Sequence, residues 1–160
     1  MQQKDFLKKR IYINDLQNKY IQWYYKLMWL YKGEELSEIP ENAFGFVYII
    51  TNKIDNRMYI GCKQFYFYRM KKIKGKVRKR RIKYESDWKI YWGSSELLKN
   101  DIKKLGEENF TREILHICYS KHDLSYCELK EQIERNVLED LVYYNEFLYY
   151  RSRKRKPQAS

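Results

Sequence analysis

Two phenols and a guanidinium recur at short intervals in this chain, a set suited to handling an anionic group. In "VYIITNKIDNRMYIG", residues 47–61, two apolar runs each carry a tyrosine, Tyr48 and Tyr59, eleven positions apart. The second run closes on Gly61, and Arg69 follows ten positions after Tyr59. A guanidinium is permanently charged and fork-shaped, so it can stabilise the equatorial oxygens of a reacting phosphate. A phenol can orient a water, or deprotonate it once nearby cations pull its pKa below about 10. These groups act together only where the fold brings them into one cleft.

The charge pattern points the same way. The 160 residues suit one domain with a small appendage, and the 44% hydrophobic content is enough for a core. The net charge is +12, concentrated in two runs. Residues 69–83 hold ten Lys/Arg and no acid, and "RSRKRK" at 151–156 holds five more. Without these, 18 basic side chains remain against 21 acidic ones, a near-neutral body. Patches of this kind recruit polyanions by releasing condensed counterions. Lys71, Lys72, Lys74, Lys76, Arg78, Lys79, Arg80, Arg81 and Lys83 are therefore expected to track the backbone of a nucleic acid. The 17 tyrosines suit a wet interface, and Trp88 and Trp92 are placed to stack on bases or to fill the core.

Three cysteines, Cys62, Cys118 and Cys127, are odd in number and form no CxxC pair, which favours free thiols in a reducing compartment. The spacing of Cys118, His122 and Cys127 fits no common zinc finger or ribbon. The start "MQQKDFLKKR" lacks the layout of a signal peptide. The most apolar stretch, "YIQWYYKLMWLY", is 12 residues long and includes Gln22 and Lys26, too short and too polar to cross a bilayer. A soluble, cytoplasmic protein without membrane partners is expected.

Periodicity then places the elements. Ile13, Leu16, Tyr20, Trp23, Leu27 and Leu30 recur at steps of three and four, predicting a helix over residues 4–32. Its seam can pack on the main domain, pair with a second copy as a homodimer, or hold another partner. "GFVYIITN" and "RMYIG" predict a β-hairpin. A helix is expected from 64 to 74, with part of 75–86 a charged mobile loop. "SSELLKNDIKKLG" predicts a helix capped by Ser94 or Ser95 and stopped at Gly106. "FTREILHIC" predicts a third strand, and 123–145 a last helix with Asp123 as its cap. The order describes an α/β domain with a small three-stranded antiparallel sheet flanked by helices, plus an N-terminal helical extension. The expected divisions are 1–40 for that extension and its connector, 45–146 for the domain, and 147–160 for a basic tail.

The paired tyrosine strands resemble the GIY-YIG nuclease family. "FVY" (46–48) stands in for GIY and "YIG" (59–61) matches outright, with Phe46 where members usually carry glycine and Gly45 one residue early. Arg69 lies where the family has its arginine. The resemblance implies a metal-binding glutamate, best matched by Glu128, with Glu131 as its rival, and a supporting asparagine, Asn145 in "YYN". Many members also carry a histidine or tyrosine between the arginine and the glutamate. His116 and His122 come too late, and Tyr91 is the candidate. The implied activity is DNA endonuclease, with one Mg²⁺ (or Mn²⁺) on Glu128, Arg69 on the phosphate, and Tyr48 or Tyr59 activating water, Tyr48 as base. Size and composition resemble phage-encoded, free-standing homing endonucleases acting on double-stranded DNA. The alternatives are a non-catalytic nucleic-acid-binding module of the same fold, or an assembly protein using the N-terminal helix.

Overall fold

The computed structural model describes residues 28–75 and 77–148. In chain order the strands are β1 (Trp29–Tyr31), β2 (Glu34–Glu35), β3 (Gly45–Asn52), β4 (Met58–Gln64), β5 (Tyr66–Lys71) and β6 (Arg80–Glu85). Helix α1 (Glu96–Leu105), strand β7 (Phe110–Cys118) and helix α2 (Lys121–Glu134) follow. The main sheet runs β2-β1-β7-β3-β4, and β5 and β6 form a separate two-stranded ribbon. Three adjacent strands of the main sheet, β7, β3 and β4, pair antiparallel as expected. The sheet nevertheless has five strands, because β1 adds in parallel to β7 and β2 turns back on β1.

Strand alternation divides the sheet into two faces. Phe46, Tyr48, Ile50 and Tyr59 share one face with Trp29, Trp88, Phe110 and Ile114, and α1 covers it with Leu98 and Ile102. Val47, Ile49 and Ile60 point to the other face and meet Leu124 of α2 and Val137. β4 is an end strand of this sheet, so both layers come close together around its edge.

Three expectations are corrected. The helix expected over 4–32 gives way to strand at Trp29–Tyr31; residues 1–27 lie outside the described residues. Trp29 is drawn into the sheet because its indole donates to the Trp88 carbonyl at 2.6 Å and its ring meets Phe46 and Tyr48 edge-on, at 4.9 Å each. The helix expected from 64 to 74 and the charged loop after it are largely the β5–β6 ribbon. In a helix, Arg69 with Lys72 and Lys71 with Lys74 would stack like charges one turn apart. As strands, the same residues alternate sides and lay cations across aromatic rings. The last helix starts earlier and ends sooner than expected. Ser120, rather than Asp123, caps it by accepting from the Asp123 N–H, and Asn136 breaks it with φ of 50°. α1 follows expectation, with the Ser95 hydroxyl accepting from the Leu98 N–H and Gly106 ending the helix. No helix among the described residues is long and apolar enough to cross a membrane.

Candidate active site at the edge of the sheet

An end strand leaves every second N–H and C=O without a neighbour strand. On β4 these groups belong to Met58, Ile60 and Cys62, and a different device satisfies each. Met58 donates to the Val142 carbonyl at 2.8 Å and accepts from the Tyr144 N–H at 2.7 Å, so the returning chain acts as a short strand. At Ile60 the Asn145 side chain takes over, accepting from the Ile60 N–H at 3.0 Å and donating to its carbonyl at 2.8 Å. Gln132 donates to the same carbonyl at 3.2 Å. At Cys62 the Glu128 carboxylate accepts from the backbone N–H and the thiol.

Glu128 rides on α2, on the opposite face of the sheet from the phenols. It still shares a pocket with one of them, Tyr59, because the edge of β4 is where the two faces join. Tyr59, Ser94, Glu128, Gln132 and Asn145 line one open pocket of about 350 Å³. Burial raises the Glu128 carboxyl above its usual range, and its hydrogen bonds to Cys62 only partly oppose this. No ion pair to Glu128 is present among the described residues. Glu131, the rival ligand, is already engaged by His116 Nε2 at 2.6 Å and Arg135 Nε at 3.0 Å. Burial pushes its carboxyl up, but the hydrogen bonds from His116 and Arg135 and the Arg135 charge outweigh burial and hold it below the ordinary value.

The three phenols form a cluster. Tyr48 and Tyr59 have ring centroids 6.2 Å apart, and Tyr48 and Tyr91 6.1 Å apart. The Tyr59 hydroxyl lies 2.9 Å from Ser94 Oγ and lines the pocket. Tyr48 is 1% exposed, with its hydroxyl bonded to that of Tyr91. The expectation that cations lower these pKa values is reversed. Burial raises all three, Tyr48 furthest, since neighbouring phenols add to the effect. Tyr48 is therefore a neutral, enclosed hydrogen-bond donor, and Tyr59 is the phenol with access to the pocket.

Gly61 makes this packing possible. A Cβ there would sit 2.6 Å from the Tyr48 hydroxyl oxygen and 2.9 Å from a Tyr59 ring carbon.

Arg69 is not among the residues lining this pocket. It lies exposed on β5, with its guanidinium 5.0 Å from the Phe67 ring centroid. A cation beside Tyr91 is Lys63, which does not line the pocket either; its Nζ lies 3.7 Å from the centre of the Tyr91 ring and 2.6 Å from Asp87. Sequence reading missed Lys63 and Ser94, because only pairing register separates them from other surface residues. Lys63 follows Tyr59 and Gly61 by the strand period of two, which is the signal that points to it. Lys71, Lys72, Lys74, Arg78, Lys79, Arg80, Arg81 and Lys83 are all exposed or partly exposed on the ribbon and its tip. Lys76 lies outside the described residues. Trp88 is fully buried, and Trp92 packs on Phe110 and under the Arg112 guanidinium, so neither is a free stacking platform.

Arg112 fixes the segment that delivers Tyr91. It is 2% exposed, sits between Trp29 and Trp92, and donates to the carbonyls of Lys89 and Tyr91 at 3.1 and 3.0 Å. Burial lowers its pKa to about 10.

Asn145 supports a direct prediction. Asn145→Ala leaves the Ile60 N–H without its partner at a half-buried edge, which costs about 1–3 kcal/mol. Chemical denaturation should show a lower midpoint with an unchanged slope. A midpoint equal to wild type would remove the supporting role.

A mixed sheet with helices on both faces, carrying Tyr48 and Tyr59 on adjacent strands, defines an α/β domain. The chain belongs to the GIY-YIG nuclease family: residues 29–153 match the family model described as "Putative endonuclease segE, GIY-YIG domain". No curated protein and no solved structure matches it. Family membership implies a nuclease that hydrolyses phosphodiester bonds, with nucleic acid as its substrate and a divalent metal as the usual cofactor.

Proposed function

We propose that the protein is a metal-dependent DNA endonuclease whose site is the pocket at the β4 edge. One observation carries the reading: Glu128, a desolvated carboxylate without an ion-pair partner among the described residues, faces the Tyr59 phenol across an open pocket. Such a carboxylate favours a cation. No cluster of three or more His, Cys, Asp or Glu residues able to hold a metal occurs among the described residues. A sparse, oxygen-only donor set fits Mg²⁺, which keeps most of its waters and takes further oxygens from a substrate phosphate; Mn²⁺ is its natural substitute. Glu128 is the protein ligand. Bound there, the ion would supply Lewis-acid charge to the phosphate and the departing oxygen.

The chain's own groups then divide the remaining work. Tyr59, held by Ser94, orients the attacking water, and its raised pKa keeps it protonated at neutral pH. Tyr48 and Tyr91 fix the Tyr59 ring from behind. Lys63, beside Tyr91, places positive charge near the scissile phosphate. Arg69, further out on the ribbon, takes a neighbouring phosphate of the same duplex. Asn145 holds β4 in register and so sets the distance between Tyr59 and Glu128. Size and basic, aromatic composition extend the proposal to a phage-encoded, homing-type enzyme acting on double-stranded DNA in the host cytoplasm.

The test is cleavage of supercoiled plasmid with and without Mg²⁺. Nicked or linear product should appear only with the ion. Metal-independent cutting, or none under any divalent ion, would sink the reading. The phenols give a second prediction. Tyr59→Phe should lower kcat by about 10²-fold, because it removes the hydroxyl that positions water. Tyr48→Phe should cost under about tenfold, since its hydroxyl only bonds Tyr91. The reverse order in single-turnover rates would return the water-activating role to Tyr48.

A further inference from the structure

The β5–β6 ribbon is the least ordinary part of the molecule. A lone two-stranded hairpin is marginal in water, so an exposed one needs a reason to persist. Its root is anchored. Phe65 is fully buried and packs edge-on against Trp88 at 5.2 Å. The Ser86 N–H donates to the Phe65 carbonyl at 2.8 Å, and its hydroxyl to the Gln64 carbonyl at 2.6 Å. Beyond the root the ribbon makes its own contacts. Phe67 and Tyr84 stack across the strands at 5.6 Å, Lys83 lies 3.5 Å over Tyr66, and Arg81 lies 3.9 Å over Tyr68.

Almost nothing else covers it. Every residue of β5 after Tyr66 is exposed, with Tyr68 at 45% and Met70 at 61%. No acid occurs between Lys63 and Glu85. An exposed, cationic strand pair is complementary to a polyanion with a groove. Two strands lie about 4.8 Å apart, and with side chains they match the roughly 12 Å width of the B-DNA major groove. The major groove of duplex RNA is too deep and narrow to admit them.

The reach of the ribbon is bounded by its length. From Tyr59 at the pocket to Tyr68 on the ribbon is nine residues, at most about 32 Å. One turn of B-DNA, 10–10.5 base pairs, spans about the same distance.

We propose that the ribbon lies in the major groove of duplex DNA and reads bases within one helical turn of the phosphate that is cut. The reading face carries Tyr68, Met70 and Arg81. Arg81 is the guanidinium best held for this, since its contact with Tyr68 is shorter than the 5.0 Å contact of Arg69 with Phe67. A planar fork fixed in this way suits bidentate pairing with guanine O6 and N7. The position relative to the cut rests on the endonuclease reading; the groove contact does not.

The experiment has two arms. In the first, metal-free wild-type protein is titrated with a 30-base-pair duplex DNA, the same single strand, and a duplex RNA of equal length. Duplex DNA should bind at least about tenfold tighter than either, and methylation of guanine N7 should abolish the difference. Equal affinity for single strand or RNA, or no effect of N7 methylation, overturns the groove contact. This arm needs no cleavage, so it stands even if the nuclease reading fails. In the second, ends produced with Mg²⁺ from a random library are sequenced. Wild type should show base preference confined to within about 10 base pairs of the cut. Arg81→Ala should flatten one or two of those positions, with about a tenfold slower cut at preferred sites. Arg81→Lys should flatten them equally while keeping affinity, since it retains the charge but loses the fork. An unchanged preference in both variants, or a preference extending past one turn, overturns the assignment.

Discussion

Glu128→Gln should lower plasmid cleavage by about 10³-fold while leaving metal-free DNA affinity within about twofold of wild type. The substitution is isosteric and touches neither the ribbon nor the phenols. It removes the carboxylate that α2 brings to the pocket, one that no ion pair offsets among the described residues. Stability should move in the opposite direction from activity. Burial raises the Glu128 carboxyl, so the folded protein holds that proton more tightly than the unfolded chain. Its favourable contribution is complete below the ordinary carboxylate value of 4.5 and is lost as pH rises through the raised folded value. In metal-free buffer at neutral pH, the Gln variant should therefore melt at the same temperature as wild type or above it. Added Mg²⁺ should raise the melting temperature of wild type only, by mass action on the folded state. The same shift moves the acid limb of the pH–rate profile above the range of a free carboxylate. A variant that loses DNA affinity or melts well below wild type would show Glu128 to be structural.

Gly61→Ala should damage the rate more than the fold. The added Cβ meets the Tyr48 hydroxyl oxygen at 2.6 Å and the Tyr59 ring at 2.9 Å, and both side chains are enclosed. Forcing them apart costs about 1–3 kcal/mol of stability as overpacking. The effect on rate should be larger, because displacing Tyr59 by even 1 Å uncouples it from Ser94 and Glu128, and misplacement of that size costs about 10²-fold. Tyr48→Phe in the Gly61→Ala background offers a separate check. Deleting the clashing oxygen should recover part of the stability, as a double-mutant cycle would show. Additive losses in the cycle would mean that the two positions do not collide.

Much of this site was legible in the chain. The hairpin that carries Tyr48, Tyr59 and Gly61 is written in strict alternation with a polar turn, and α1 in its own cap and stop. The ribbon was not legible. Its stability comes from Phe67 on Tyr84 and Arg81 on Tyr68, partners that a local window cannot pair, and its charges mask the strand alternation. The strand at Trp29 was hidden for a similar reason. The three-and-four spacing of apolar residues before it continues through Leu30, while the partner that makes it a strand, Arg112, lies 83 residues later. Val137, Leu138 and Leu141 extend the helical pattern of α2 past its end, and the positive φ at Asn136 overrides them.

The residue types, their order and the excess of positive charge belong to the sequence by itself, since side-chain chemistry and local pairing need no distant partner. Tertiary structure decided which of those groups meet. Glu128 and the phenols occupy opposite faces, and only the placement of β4 at the edge of the sheet lets Glu128 and Tyr59 share a pocket. It also decided the sign of the phenol shifts, because burial raises all three and outweighs the hydrogen bonds that would lower Tyr59 and Tyr91. Lys63 stands beside Tyr91 and Arg69 out on the ribbon for the same reason: strand register, which no local pattern fixes, sets where each cation points.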